Sequence, residues 1–95
     1  MLSINEAKYA GGYNIHLSFN NGKKGTANLK ETIFSDKRPI FSKLKKQSNF
    51  SMFRVDHSTV VWFDELDLAP EYLFYLAFKE NDDYQDQFRC WGYIA

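Results

Sequence analysis

Apolar and polar residues alternate most regularly between positions 13 and 20, and this period of two predicts a strand with one buried face. The apolar members are Tyr13, Ile15, Leu17 and Phe19. Leu2 to Tyr9 predicts a strand before it, and Lys24 to Leu29 predicts a third strand after it. Asn21 and Gly22 favour the positive φ angles of a tight hairpin turn between the second and third strands. The N-terminal third therefore predicts a meander of three antiparallel strands.

The pattern changes in the middle of the chain. Pro39 fits the first turn of a short helix, with Asp36 just upstream as a candidate cap. The apolar residues that fall on one side of this helix are Ile40, Phe41 and Leu44. Next, Met52 to Asp56 and Thr59 to Phe63 are aromatic and β-branched runs around His57-Ser58, which predict a second hairpin.

Residues 63–78 read FDELDLAPEYLFYLAF, so four carboxylates precede a stretch with almost no polar residues. Pro70 suits the first position of a helix that runs to about Lys79. Glu71 lies in the first turn, where the positive end of the helix dipole stabilises a carboxylate. Asp67 lies within reach of an unpaired backbone N–H at the start of the helix. We interpret the acids between Asp64 and Glu71 as residues that begin and orient this helix, and not as a reactive site.

The predicted last helix is apolar on every side, whereas a helix that lies on a sheet needs only an apolar stripe. A second covering surface is therefore expected. The tail beyond residue 80 contains Phe88, Trp91, Tyr93 and Ile94, which could fold back as a strand or hook. Our first prediction is that the tail of the same chain covers this helix. Covering by another chain is a close second. The candidate protein-interface residues are Tyr72, Phe74, Tyr75, Phe78, Phe88 and Trp91.

Together these elements predict an α+β fold. A small antiparallel sheet, made of the three-stranded meander plus the second hairpin, packs with a short central helix and a C-terminal apolar helix. Residues 1–79 are predicted to be a single domain. The polar segment at residues 80–83 separates it from a C-terminal extension, residues 80–95, which is first acidic and then aromatic.

Composition supports one soluble domain. The 95 residues are 44% hydrophobic, enough for a single core. The one cysteine, Cys90, has no internal disulfide partner, and the N-terminus lacks the pattern of a secretion signal. Tyr72 to Phe78, the longest apolar run, is too short to span a bilayer. We therefore expect a cytoplasmic protein that is not inserted in a membrane.

The charges are unevenly distributed although the net charge is zero. Residues 1–54 carry a net charge of +7 and residues 55–95 carry −7. This asymmetry fits either a nucleic-acid-binding face or two halves that complement each other when they pack, and we favour the second interpretation. The candidate nucleic-acid contacts are Lys37, Arg38, Lys43, Lys45 and Lys46.

No arrangement of residues predicts catalysis. A nucleophile needs a base and a group that orients the base, but Cys90 has no nearby histidine, and His16 and His57 lie in separate predicted hairpins. Oxygen ligands and one imidazole cluster between positions 56 and 67, yet they lack the spacing of calcium or zinc motifs. We therefore predict no catalytic, cofactor-binding or metal-binding residues.

Several short patterns between about Ile4 and Leu76 occur together in an order that is typical of one family. The residues that carry them are Asn21, Gly22, Asp56, Trp62, Asp67, Leu68, Pro70 and Glu71. In this respect the chain resembles the bacterial domain-of-unknown-function family 2442. In that family Pro-Asn-Gly usually follows the tryptophan, where this chain has Phe63-Asp64-Glu65. The resemblance implies a small antiparallel sheet with packed helices. The resemblance also implies a regulatory context. Some family members are joined to helix-turn-helix segments. Others are encoded beside another small protein, in pairs with suspected toxin and antitoxin behaviour.

These observations predict a non-enzymatic protein-binding module with a protein partner or a second copy of itself. The family resemblance alone implies that it is the regulatory, antitoxin-like member of a small two-gene pair. The alternative is a DNA-associated regulator that binds through the basic first half.

Overall fold

The computed structural model describes residues 1–95 and has the predicted α+β fold. The strands are β1 (Ile4–Tyr9), β2 (Asn14–Phe19), β3 (Lys24–Asn28), β4 (Arg54–Asp56), β5 (Thr59–Trp62) and β6 (Leu66–Asp67). The helices are α1 (Lys30–Ser35), α2 (Pro39–Leu44), α3 (Gln47–Phe50), α4 (Pro70–Phe78) and α5 (Gln85–Trp91), and a 3₁₀ turn, Asp82–Tyr84, precedes α5.

The first sheet has the order β1-β2-β3 and is antiparallel throughout, which confirms the meander. The turn between β2 and β3 differs from the prediction, because only Gly22 has a positive φ, +83°. The Gly22 N–H donates to the carbonyl of Phe19 (3.1 Å), and the Phe19 N–H donates to the carbonyl of Lys23 (2.9 Å). This is a three-residue connection that includes Asn20, in which one left-handed residue is enough.

The second sheet has the order β4-β5-β6, so the predicted hairpin gains a third strand. His57 and Ser58 both have positive φ angles, as a two-residue hairpin turn requires. Strand β6 contains only two residues, too few for a pattern with period two to be visible in the sequence. The Ile4 N–H donates to the carbonyl of Ser58 (2.9 Å) and connects the two sheets.

Helix α2 begins at Pro39 as predicted, but Asp36 does not cap it. The Asp36 carboxylate instead accepts the backbone N–H of Arg38 (3.0 Å) and pairs with the Arg38 guanidinium (2.9 Å). Asp36 therefore fixes the turn before the helix. Helices α1 and α3, which have six and four residues, are further elements between Lys30 and Phe50 that the sequence did not predict.

The core lies between the first sheet, the second sheet and α4. Its fully buried large side chains include Ile15, Leu17, Phe19, Ile33, Phe41, Leu44, Phe50, Val60, Trp62, Leu73 and Phe88. Helix α4 packs directly over β3 because Gly25 has no side chain. A Cβ at that position would lie 2.9 Å from Cζ of Phe78 and 3.3 Å from Cβ of Ala77.

The tail folds back on α4 as a helix and not as the strand or hook considered above. The Phe88 ring is fully buried, and its centroid lies 5.1 Å from that of Tyr75. Gly92, with φ of +86°, ends α5, and the following Tyr93 stacks on Tyr75 at 5.2 Å. The tail therefore covers much of the second apolar face of α4 within the chain. No helix has both the length and the apolar character needed to cross a membrane.

Candidate protein-binding surface

The four carboxylates that precede or begin α4 do not converge. Glu71 lies in the first turn of α4, as predicted, but no side chain caps this helix, so the capping interpretation of Asp67 is wrong. Asp64 forms an ion pair with Arg54, and the Glu65 carboxylate lies 3.4 Å from Nζ of Lys43. The acids other than Glu71 therefore do not orient the helix. Asp64 and Glu65 hold the β5–β6 turn against β4 and α2.

A shallow cleft of about 210 Å³ lies at the second sheet, and its lining includes Arg54, which pairs with both Asp56 and Asp64. Hydrogen bonding from Arg54 lowers the pKa of the Asp56 carboxyl below its ordinary value. Asp56 also accepts the His57 backbone N–H (2.9 Å) and so supports the hairpin turn. No group of three His, Cys, Asp or Glu residues in the chain is arranged to hold a metal ion.

The family-motif residues lie mainly at turns and element ends. Asn21 and Gly22 form the β2–β3 turn, Asp56 ends β4, and Asp67 ends β6. Leu68, Pro70 and Glu71 lead into α4, and the Leu68 carbonyl accepts the hydroxyl of Thr59. Trp62 is the one large buried member, and its indole N–H donates to the carbonyl of Phe50 (2.8 Å). These contacts build the framework of the domain.

The predicted protein-interface residues lie between α4 and the tail. Phe74 and Phe88 are buried, and the other four, Tyr72, Tyr75, Phe78 and Trp91, are half-buried. The Trp91 ring lies 6.1 Å from that of Phe74, and the Tyr72 hydroxyl is 2.7 Å from the hydroxyl of Thr32 on α1. Burial, with a further contribution from the Glu71 carboxylate, raises the pKa of Tyr93 at the same contact.

The predicted nucleic-acid contacts divide into two groups. Arg38 pairs with Asp36, and Lys43 pairs with Glu65, so these two cations are partly neutralised. The remaining three, Lys37, Lys45 and Lys46, are exposed and take part in no ion pair. The structure therefore leaves these three predicted contacts free, and Lys30 at the start of α1 is a fourth exposed cation without an ion pair in the same segment.

The sequence did not single out four exposed apolar side chains, two of which, Tyr9 and Phe34, lie on the aromatic cluster of the buried Phe50 ring. Tyr9, Phe34, Met52 and Val55 are 42%, 46%, 61% and 37% exposed. We call these four residues the Phe50 surface.

Aromatic contacts connect most of the Phe50 surface. The Phe50 ring lies 6.1 Å from Tyr9 and 5.5 Å from Tyr13, and Tyr13 lies 5.3 Å from Phe34. Met52 adjoins Phe53, whose ring is 6.3 Å from Phe50. Val55 lies on β4, which contacts β1, the strand that ends at Tyr9. Tyr9 and Phe34 therefore border one aromatic cluster, and Met52 and Val55 lie within two residues of its member Phe53 in the sequence.

Free lysines lie at the border of the Phe50 surface. Nζ of Lys45 is 5.5 Å from the centre of the Phe34 ring, and the Lys45 carbonyl accepts the hydroxyl of Tyr13. The Lys46 carbonyl accepts the backbone N–H of Phe50 (3.0 Å). These bonds fix the backbone that carries both cations. The result is an apolar centre with a positively charged border.

The histidines and the cysteine lie apart from one another. His16 is exposed on β2, with Nδ1 3.0 Å from the Thr26 hydroxyl, and His57 is exposed in the β4–β5 turn. Cys90 is exposed on α5. The structure does not bring these three residues together.

Comparison with known proteins gives one family. The family model described as "Protein of unknown function (DUF2442)" matches residues 4–79, most of the chain. No curated protein and no solved structure is similar enough to count as a match.

Proposed function

The chain belongs to the DUF2442 family, and we propose that it is a non-enzymatic protein-binding module that recognises an acidic partner protein through the Phe50 surface. The observation that carries this proposal is the exposed Phe34 ring, which lies beside Lys45 and against Tyr13.

The composition of the Phe50 surface supports recognition of a protein. Aromatic residues and methionine are enriched at the centres of protein interfaces, and contiguous exposed apolar surface marks such sites. The rings of Tyr9 and Phe34 are held by neighbouring rings, so they lose little conformational entropy when a partner binds. Lys45 and Lys46 at the border favour a negatively charged partner, because complementary charges speed and orient association.

We further propose a regulatory, antitoxin-like role in a two-gene pair. The antitoxin-like role rests on the family resemblance. Such a role requires a protein interface, and the Phe50 surface would provide one. Action in the cytoplasm is consistent with an exposed, unpaired Cys90.

The test is capture of the partner from the native host with the tagged full-length chain. Phe34→Ala combined with Met52→Ala should reduce capture at least tenfold, because central interface residues contribute about 1 kcal/mol or more each. Lys23→Ala combined with Gln87→Ala, two exposed positions outside the Phe50 surface, is the matched control and should capture normally. The captured protein should be acidic. Absence of a partner, or equal capture by both variants, contradicts the proposal.

A second candidate function is a DNA-associated regulator. The free cations Lys37, Lys45 and Lys46 favour it, because phosphate contacts need little more than positive charge. The exposed Phe34 ring beside Lys45 adds a surface on which a base could stack.

DNA binding is tested by gel retardation at low salt. The triple variant Lys37→Gln, Lys45→Gln and Lys46→Gln should weaken retardation and flatten the salt dependence, because each phosphate contact contributes a slope of about −0.9 on duplex DNA. A control that removes the same number of charges elsewhere, Lys8→Gln, Lys24→Gln and Lys79→Gln, should have a smaller effect. Failure of the wild-type chain to retard any duplex or single strand rules this function out.

A further inference from the structure

The outer edge of β3 is the free edge of the first sheet. In the order β1-β2-β3, β2 pairs on both sides, whereas β3 pairs only with β2. At the other edge of this sheet, β1 contacts β4 and β5. An unpaired strand edge presents N–H and C=O groups that can pair with another strand.

The hydrogen bonds at the two ends of β3 show which residues point outward. The Leu29 N–H donates to the carbonyl of Tyr13, and the Lys23 carbonyl accepts the N–H of Phe19, both at 2.9 Å. Bonding alternates along an antiparallel strand, so positions 23, 25, 27 and 29 face β2. Lys24, Thr26 and Asn28 therefore direct their backbone N–H and C=O groups outward.

Open space adjoins this edge. A groove of about 480 Å³ lies beside Thr26 and the end of α4, and another of about 510 Å³ lies beside Asn28 and Phe34. Lys79 lines both grooves. Open space therefore adjoins the backbone edge at Thr26 and at Asn28.

We propose that a second copy of this chain pairs antiparallel along this edge, β3 with β3, and places Thr26 on the twofold axis. The two sheets then form one six-stranded sheet. Three outward-facing residues on each copy provide six backbone hydrogen bonds across the axis, two for each opposed pair. This dimer goes beyond the proposed recognition of an acidic partner.

The side chains of β3 complement themselves in this register. Thr26 opposes Thr26 of the second copy, a favourable cross-strand pair, and each Lys24 opposes an Asn28. A register centred on Lys24 would place two lysines opposite each other and lose hydrogen bonds. An edge lysine commonly protects a strand from pairing, but here the twofold axis places it against a neutral amide.

The charges at the end of α4 also favour a second copy. Lys79 and Glu80 line the groove beside Thr26, and neither takes part in an ion pair within one chain. A twofold axis through Thr26 brings the two α4 ends toward each other, so that Lys79 of one copy faces the region of Glu80 of the other. An isologous contact requires this kind of self-complementarity.

The proposal is tested by sedimentation of the full-length chain over a wide concentration range. The apparent mass should rise from the monomer value of 11.2 kDa toward twice that value. Thr26→Lys and Thr26→Asp each place like charges on the axis and should weaken dimerisation at least tenfold. An equimolar mixture of the two should restore it, because opposite charges then meet. Gln87→Lys, an exposed change on α5, is the control and should dimerise like wild type.

Amide hydrogen exchange of the wild-type chain is an independent measurement that needs no variant. Exchange at Lys24, Thr26 and Asn28 should slow as the concentration rises. A chain that stays monomeric at all concentrations overturns the dimer. So does a dimer that Thr26→Lys leaves intact, a mixture that does not restore association, or exchange at these amides that does not depend on concentration. The wild-type measurements use no partner protein, so they are independent of the proposed function.

Discussion

Trp62 shows how one side chain can hold two elements together. Its indole lies at the end of β5, is fully buried, and donates to the carbonyl at the end of α3, 2.8 Å away. Trp62→Phe removes the donor, leaves the Phe50 carbonyl unpaired and opens a small cavity. We expect a loss of about 2–4 kcal/mol in the free energy of unfolding, measured with urea.

Trp91→Phe is the matched control for that change. Trp91 is half-buried and makes no side-chain hydrogen bond to another element. The Trp91→Phe variant should therefore lose less than about 1 kcal/mol in the free energy of unfolding. Equal losses for the two variants would show that the bond to Phe50 does not contribute.

Arg54 and Arg38 provide a pair of matched tests of local electrostatics. Arg54 lowers the pKa of Asp56, and Arg38 lowers the pKa of Asp36, in both cases chiefly by hydrogen bonding. Arg54→Met should raise the pKa of Asp56 toward its ordinary value and leave that of Asp36 unchanged, and Arg38→Met should do the reverse. The measurement is an NMR titration of the side-chain carboxyl groups.

The pH dependence of stability follows from the sign of these shifts. Because the folded-state pKa is lowered, each interaction contributes above the ordinary pKa near 3.8 and is lost as the pH falls through the folded value. Both pairs are exposed to solvent, so the effect on stability should be small. An Asp56 pKa that does not respond to Arg54→Met would contradict the assigned cause.

At the scale of elements, Gly25 sets the distance between β3 and α4. Gly25→Ala places a methyl group against Phe78 and Ala77, so we expect a loss of about 1–3 kcal/mol in the free energy of unfolding. Phe78→Leu shortens the side chain that the new methyl group meets. The double variant should therefore be more stable than the sum of the two single losses predicts. Strict additivity in urea unfolding would show that the two residues do not touch.

The sequence predicted the elements whose patterns are long. Strand β2 alternates over six residues, and α4 has Pro70 at its first position, so both appear where expected. Helices α1 and α3 and strand β6 are too short to show a period. The roles of Asp36 and Asp67 were misassigned because a carboxylate near a helix start can bond to a turn or stay in solvent as readily as it caps the helix. Sequence does not distinguish these outcomes.

The candidate site was harder to predict than the fold. Aromatic side chains on α4 suggested an interface, but the tail covers much of that face through Phe88. The exposed ring of Phe34 left one signal in the sequence. It follows Ile33 in a helix of six residues, and two adjacent apolar residues point in different directions on a helix. Ile33 is buried, whereas Phe34 is 46% exposed.

At the scale of the whole molecule, the charge asymmetry has two consequences. Ion pairs of Lys43 with Glu65, and of Arg54 with Asp56 and Asp64, join the basic first half to the acidic second half. These pairs agree with the interpretation that the halves complement each other. Lys37, Lys45 and Lys46 stay free of such pairs, and two of them border the Phe50 surface. Part of the asymmetry therefore remains available for a partner.

The most direct test of recognition through the Phe50 surface is photo-crosslinking in the native host. A benzophenone amino acid would replace Phe34 in one strain and Gln87 in a second strain, because both positions are exposed. We predict a discrete adduct with one acidic protein from position 34 and none from position 87. Absence of a protein adduct at position 34, or the same adducts from both positions, would contradict the account.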